Sequence, residues 1–445
     1  MIGADVVVLG AGCAGLSAAT ALAEGGARVV VIEARPVAGG RTFATEDRVT
    51  GDWVDNGQHV LFGCYHATLT YLSRIGTRSK VLVQSSLSVP MIDLAGRRSE
   101  LRCPALPSPL HLAAGVLAWE ALSWSERLTV ARLGPALDPS APSPLPDETV
   151  RAWLSRFGQP ARLVDLLWEP LAVAALNQPI DVATATTFVE VVRRMFGPGP
   201  DDAALVLPAE SLSHVLVEPA LGFVEARGGE VWRGAPAKVR VSPNRGFDID
   251  VRGRMVSAPI VVSSVPWHAL ANLFDEVPAV LADVVANAAA MQSAPIVTAN
   301  LWFDRAVLDA PFLGLPGRAF QWAFDKRRVA PGQATHVSLV CSGAGDVVGL
   351  DNDAIVAHAH RELRDAVPAV RQATLVRGTA IRERRATFSL AAGEPPRPSM
   401  RTALPGFYLA GDWVDTGLPA TIESAVVSGH AAARAVLAAR GGGHA

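Results

Sequence analysis

The chain has 445 residues, 50% of them apolar and 18% charged, so it holds enough apolar surface for a large core and is not an intrinsically disordered polymer. Its 40 Lys and Arg are matched by 42 Asp and Glu, a formal charge of −2, which removes the basic excess that draws proteins onto nucleic acid. Cys13, Cys64, Cys103 and Cys341 stand far apart with no C-x-x-C pair, which argues against a metal knuckle or a disulfide scaffold and for a reduced, cytoplasmic setting.

Only Met1 to Ala4 precede the first apolar run, with no basic leader, so no secretory signal is expected. Val6 to Leu9 is β-branched and continuous, the pattern of a strand buried on both faces of a parallel sheet. It runs into Gly10, Gly12 and Gly15 in G-x-G-x-x-G spacing, then an Ala- and Leu-rich helix from Ala14 to Glu24, then a second strand from Arg28 to Glu33. This is a dinucleotide-binding unit. Gly10 makes the tight turn, Gly12 admits a pyrophosphate, and Gly15 lets the helix pack on the strand, with free N–H groups at the helix start facing the phosphates. Glu33 is placed to accept hydrogen bonds from ribose hydroxyls, which favours an adenosine without a 2′-phosphate.

Beyond Glu33, the run through Ala34, Arg35, Gly39, Gly40, Arg41 and Thr42 has the form E-A-R-x-x-x-G-G-R. It resembles the flavin amine oxidase and phytoene desaturase superfamily, which implies FAD, with the Gly-Gly-Arg segment at its pyrophosphate. A guanidinium suits phosphate oxygens. The resemblance extends to the segment from Trp53 to His59, where Gly57, Gln58 and His59 match a turn that passes beside the isoalloxazine. It implies further that a strand from Val231 to Val241 holds the adenine near Val239, and that Val261 to Pro266 closes the cofactor domain. At the far end, Gly411 and Asp412 follow a short strand, and a helix begins around Thr421 and Ile422; the resemblance places Asp412 on a ribityl hydroxyl and the helix N-terminus at the flavin pyrimidine. Glu423 is read either as a charge on that helix end or as a cofactor contact. The glycines from Gly343 to Gly349 do not form a nicotinamide site, because Asp346 would meet the phosphates and the next helix begins only near Asn352. An external, unidentified electron donor is therefore expected.

The length suits about two or three domains. The fold class is α/β: a discontinuous Rossmann-like FAD-binding domain from 1–85, 205–266 and 395–445, with an inserted α+β substrate domain from 86–204 and 267–394. The inserts carry helices around Trp153 and Leu166, a strand from Ile296 to Phe303 and a helix from Asp353 to Ala366. A short polar tail, Gly441 to Ala445, ends the chain.

The inserts have to choose the chemistry. Amine oxidation is disfavoured, since none of Lys80, Lys238 and Lys326 lies in the segment around Trp302 and Trp413 replaces the aromatic cage. The motifs from Asp55 to Tyr65, Cys103 to His111 and Leu167 to Leu171, with Ala175 to Asn177, resemble the squalene-associated FAD-dependent desaturases, the hydroxysqualene dehydroxylases. The resemblance runs over nearly the whole chain and implies reduction of hydroxysqualene to squalene, a step that supplies hopanoids. A protonated hydroxyl can leave an allylic carbon and flavin hydride can quench the cation. His59 is the first candidate proton donor, followed by Asp55 and His66, although a lone histidine is often structural. So apolar a substrate suggests peripheral membrane contact, and Leu106 to Leu122, with Trp119 and Trp124 near its end, is read either as that surface or as a buried helix. Two other readings stand beside this one: a carotenoid or phytoene-type desaturase, and a non-enzymatic isoprenoid-binding protein on the same fold.

Overall fold

The computed structural model describes residues 2–107, 110–138, 140–197, 199, 201–242, 246–329 and 335–441. Ser108 and Pro109 of the 103–111 motif, Pro139 and the tail beyond 441 lie outside the described residues.

Val6–Leu9 is a strand with all four side chains buried. It sits at the centre of a five-stranded parallel sheet in the order Glu230–Trp232, Val29–Ile32, Val6–Leu9, Ile260–Ser263, Phe407–Leu409. Burial on both faces explains the unbroken valines. Val6 and Val8 pack against the helices Cys13–Glu24 and Ile422–Gly441. Val7 and Leu9 pack with Val239, Phe247 and Ile249, which belong to an antiparallel sheet over the opposite face.

Two glycines set the spacing of these layers. A Cβ on Gly15 would lie 2.0 Å from the Gly10 carbonyl oxygen, so the first helix rests directly on the glycine turn. On Gly429 it would lie 2.1 Å from Ser17 Oγ and 2.2 Å from the Ala14 carbonyl oxygen, so the last helix rests directly on the first.

The second half of the molecule is a seven-stranded, mostly antiparallel sheet that pairs Ser88–Ile92 and Arg98–Arg102 with strands between Ser293 and Phe388. Helix Asn352–Ala366 packs on one face through Ile355, Ala359 and Leu363. The helices between Leu110 and Met195 cover the other. The helix expected around Leu166 is interrupted: Val164–Trp168 is a π-helical turn running into Glu169–Leu176. Pro170 is the physical reason, because it lacks the N–H for an α bond and its ring crowds the carbonyl four residues back.

Two expectations need correcting. Val231 to Val241 is not one strand; Glu230–Trp232 ends at Gly234, whose φ is +62°, and after Pro236 Ala237–Ser242 enters the antiparallel sheet instead. Trp119 is 2% exposed and cannot meet a membrane, whereas Trp124 is 68% exposed. As expected, the helix after His336–Ser342 begins only at Asn352, where the Asp351 carboxylate caps it by accepting from the Ala354 N–H at 2.8 Å.

Two stability predictions follow from this packing. Gly429→Ala is expected to force the first and last helices apart, a loss of about 1–3 kcal/mol that lowers the thermal midpoint. His430 lies buried between the last helix and His66–Arg74, with its Nε2 2.6 Å from Arg74 Nη1; burial first, then Arg74, brings its pKa down from 6.5 to about 4. The unfolded chain binds the extra proton between those values, so stability is lost as pH falls from about 6.5, at up to about 1.4 kcal/mol per pH unit. His430→Gln should flatten the fall in thermal midpoint between pH 6.5 and 4.5.

Candidate functional site

A single continuous cavity of about 940 Å³ begins at the carboxyl ends of the parallel strands and continues under the seven-stranded sheet. At its entrance two glycine turns meet. Gly10, Gly39 and Gly40 have φ of +98°, +108° and +59°, conformations that suit glycine, and Gly12 bridges to Gly39. A Cβ on Gly12 would meet nothing nearer than Gly40 Cα at 4.0 Å, so the space before the helix N-terminus is open. No side chain caps that N-terminus. Its free N–H groups, Ala14 among the cavity residues, make a site for a phosphate anion.

Glu33 is held rigidly beside this cradle. Its Oε2 accepts from the Ala11 N–H and its Oε1 from the Arg35 N–H, both at 2.8 Å. Ala34, Arg35, Gly40 and Thr42 also line the cavity, whereas Gly15 is used wholly in helix packing. Arg41 donates to Asp412 Oδ1 and to the Ala386 carbonyl, each at 2.6 Å. Gly411 has φ of +151° and no room for a Cβ, which would sit 2.6 Å from Trp413 Nε1. Thr421 and Ile422 line the cavity where the last helix starts. Glycine cradle, oriented carboxylate, guanidinium and two helix N-termini together fit a dinucleotide flavin.

Glu423 turns away from this cavity. Its carboxylate accepts from the Ala67 and Thr68 N–H groups at 3.0 and 2.8 Å and from the Thr68 hydroxyl, so it caps the helix His66–Arg74 rather than its own.

Of the proposed acid–base residues, only His59 reaches the cavity, together with Gly57 and Gln58. Its Nδ1 lies 2.9 Å from the Gly57 carbonyl, and burial lowers its pKa, so the ring is neutral near pH 7. Asp55 is a correction. It is buried behind the turn, accepts from the Leu212 N–H at 2.8 Å, and pairs with Lys326 Nζ at 3.3 Å. His66 is a second: its Nε2 meets Asp202 Oδ1 at 2.8 Å and its ring faces solvent. Val239 is a third. It is buried in the antiparallel sheet opposite Ile249, and the cavity wall is made by Ala235 and Ala237 instead.

The fold also assembles what sequence distance conceals. Lys326 follows strand Trp322–Asp325, donates to Gln58 Oε1 at 2.7 Å, and lies close enough to His336 to add to burial in lowering its pKa. His336 in turn stacks on Trp302 at 4.3 Å. A lysine therefore does stand near Trp302, but it is 4% exposed and faces Asp55 and Gln58 rather than the cavity. Tyr65, His268 and the run Arg382 to Arg385 line the cavity too, and no local pattern marks them. The contact of Ala386 with Arg41 is what brings that run there.

The Flavin containing amine oxidoreductase family model matches residues 13–437. Hydroxysqualene dehydroxylase from Rhodopseudomonas palustris is 30% identical over 98% of each chain. The 15-cis-phytoene desaturase of Synechococcus elongatus is 26% identical over 97% of this chain and 96% of its own. Among solved structures, an oxidoreductase from Methanosarcina mazei superposes with a TM-score of 0.74 at 18% identity, over 96% of this chain and 99% of that one, a likeness of fold. The open glycine cradle, the Arg41–Asp412 closure and a match over nearly the full length make this chain an FAD-dependent oxidoreductase that belongs to the flavin containing amine oxidoreductase family.

Proposed function

We propose that the chain reduces hydroxysqualene to squalene. The observation that carries this reading is the division of the cavity. Among the described residues, every charged residue in its lining comes from the segments 33–41, 382–385 and 412. The remainder is walled by Leu87, Val89, Met91, Leu112, Leu167, Leu171, Phe312 and similar side chains. Such a wall suits a hydrocarbon chain and excludes the water that would capture a carbocation. Likeness to hydroxysqualene dehydroxylase over the whole length supports the same substrate class.

When bound, the flavin supplies hydride to the substrate carbon. The residues of the chain provide the setting. Gly12, Glu33, Arg41 and Asp412 would hold the cofactor, and the Gly57–His59 turn would press one wall of the cavity against the reacting end. The C–O bond breaks as the departing hydroxyl takes up a proton, and water leaves. Neutral His59 is a base at pH 7, so it would carry that proton only after receiving one from solvent.

Access for so apolar a molecule favours a surface in contact with lipid. No helix among the described residues is long and apolar enough to cross a membrane. Helix Leu110–Ala118 points Leu112 into the cavity and exposes Leu110 and Leu117, with Trp124 and Leu128 exposed just beyond. An interfacial role for this edge predicts that Leu117→Glu with Trp124→Glu abolishes co-sedimentation with liposomes while the thermal midpoint stays unchanged.

The decisive assay is an anaerobic single turnover with chemically reduced, FAD-loaded protein and hydroxysqualene. Stoichiometric flavin reoxidation with squalene formation is the expected result, slowed about ten- to a thousandfold in His59→Gln. Failure to reoxidise, together with bleaching of the oxidised enzyme by phytoene, would reassign the chain to desaturation.

A further inference from the structure

An apolar cavity that takes a hydroxylated isoprenoid has one polar group to recognise, and we propose that the Tyr65 phenol donates the hydrogen bond to that hydroxyl. This inference rests on the reading above and names the residue that makes the site prefer a hydroxylated chain to the bare hydrocarbon.

Tyr65 lines the cavity on the cofactor-domain side, where its phenol has the Thr421 side chain as a hydrogen-bond partner at the start of the last helix. Two other polar groups of the lining, Asn177 and Trp168, are already committed. Asn177 donates to the Ala294 carbonyl and Thr387 Oγ1 and accepts from the Gly343 N–H. Trp168 Nε1 donates to Gln159 Oε1 at 3.0 Å. Ser342 and Trp322 belong to the opposite wall, on the seven-stranded sheet.

The backbone that carries Tyr65 is also held in place from both sides. Gly63 has no room for a side chain, since a Cβ would lie 1.8 Å from the Asp201 carbonyl oxygen. The Cys64 N–H donates to the Asp202 carbonyl at 2.9 Å, and the Asp202 carboxylate holds His66. On the other side Glu423 fixes Ala67 and Thr68. The Tyr65 ring packs edge-on against Phe62 at 5.8 Å. His66, Asp202 and Glu423 thus act as positioning residues for the tyrosine between them. A donor fixed in this way needs little ordering when ligand binds.

Burial, with Cys64 and Glu423 adding to it, pushes the Tyr65 phenol above its usual 10. It therefore stays protonated across the working range as a standing donor and is a poor source of the proton that leaves with water. Once the hydroxyl has gone, the phenol has no partner on the hydrocarbon, so product is held less tightly than substrate.

The test compares hydroxysqualene and squalene binding to the oxidised holoenzyme, where no turnover occurs, through the perturbation of flavin absorbance. The wild-type protein is expected to bind hydroxysqualene about ten- to a hundredfold more tightly than squalene. Tyr65→Phe should lose most of that preference while keeping its squalene affinity and FAD content. A fluorinated tyrosine placed at position 65 strengthens the donor without changing its shape, and should tighten hydroxysqualene binding alone. Wild-type preference retained by the Phe variant overturns the inference. If that variant does not hold FAD, an unaltered preference in the fluorotyrosine protein overturns it. Equal wild-type affinity for both lipids overturns hydroxyl recognition but leaves dehydroxylation to the single-turnover assay, whereas no binding of either overturns both.

Discussion

The ion pair between Arg41 and Asp412 joins positions 371 residues apart, and the cofactor site depends on it. Its guanidinium also holds the Ala386 carbonyl, so one side chain ties the second glycine turn to the end of the seven-stranded sheet and to the Gly-Asp turn before the last helix. The parallel sheet is assembled from three separated stretches of chain, and long insertions between them add only slowly to closure entropy. What matters is that the ends are fastened. Removing one partner of a buried pair costs about 3–5 kcal/mol, and with a third of the Arg41 side chain exposed the lower figure applies here.

The parts of the site within the first forty residues were legible because each cause lies near its effect. Gly15 faces Gly10, Glu33 accepts from Ala11 and Arg35, and Gly12 meets Gly39, all inside one βαβ unit and the turn that follows it. The misplacement of Val239 has a local cause as well: Gly234 and Pro236 punctuate the run, and reading through them kept one strand where there are two. Asp55 and His66 failed for another reason. Their residue types suggest chemistry, but their directions are set by Lys326 and Asp202, which lie 271 and 136 residues away. Lys326 itself becomes a neighbour of Trp302 only through strand order, which no local pattern encodes.

Polar and apolar halves of one cavity arise from different backbone devices. The polar half is lined by strand ends and glycine turns, which present N–H groups and short side chains to a cofactor rich in phosphate. The apolar half uses strands of the seven-stranded sheet, such as those carrying Val89 and Phe312, and helix faces, including the π turn at Val164–Trp168 ahead of Pro170. That widened turn presents Leu167 and Trp168 to the cavity and runs into a helix that presents Leu171, Ala174 and Ala175 to the same space. The proline that spoils a regular helix thus sits where the wall faces the apolar half of the cavity.

The position of the carboxylates ties structure to chemistry most closely. Asp55, Asp202 and Glu423 stand near the segment carrying His59 and Tyr65, yet each directs its oxygens to backbone N–H groups or a cationic or hydrogen-bonding side chain behind the wall. Asp412 is held by Arg41, and Glu383 accepts from Asn56. On the dehydroxylation reading this exclusion has a reason. A free carboxylate in the apolar half would be expensive to desolvate, and as a nucleophile it would capture an allylic cation before hydride could reach it. On that reading Asp55, Asp202 and Glu423, acids by residue type, act from outside the cavity, where they fix the segment that carries His59 and Tyr65.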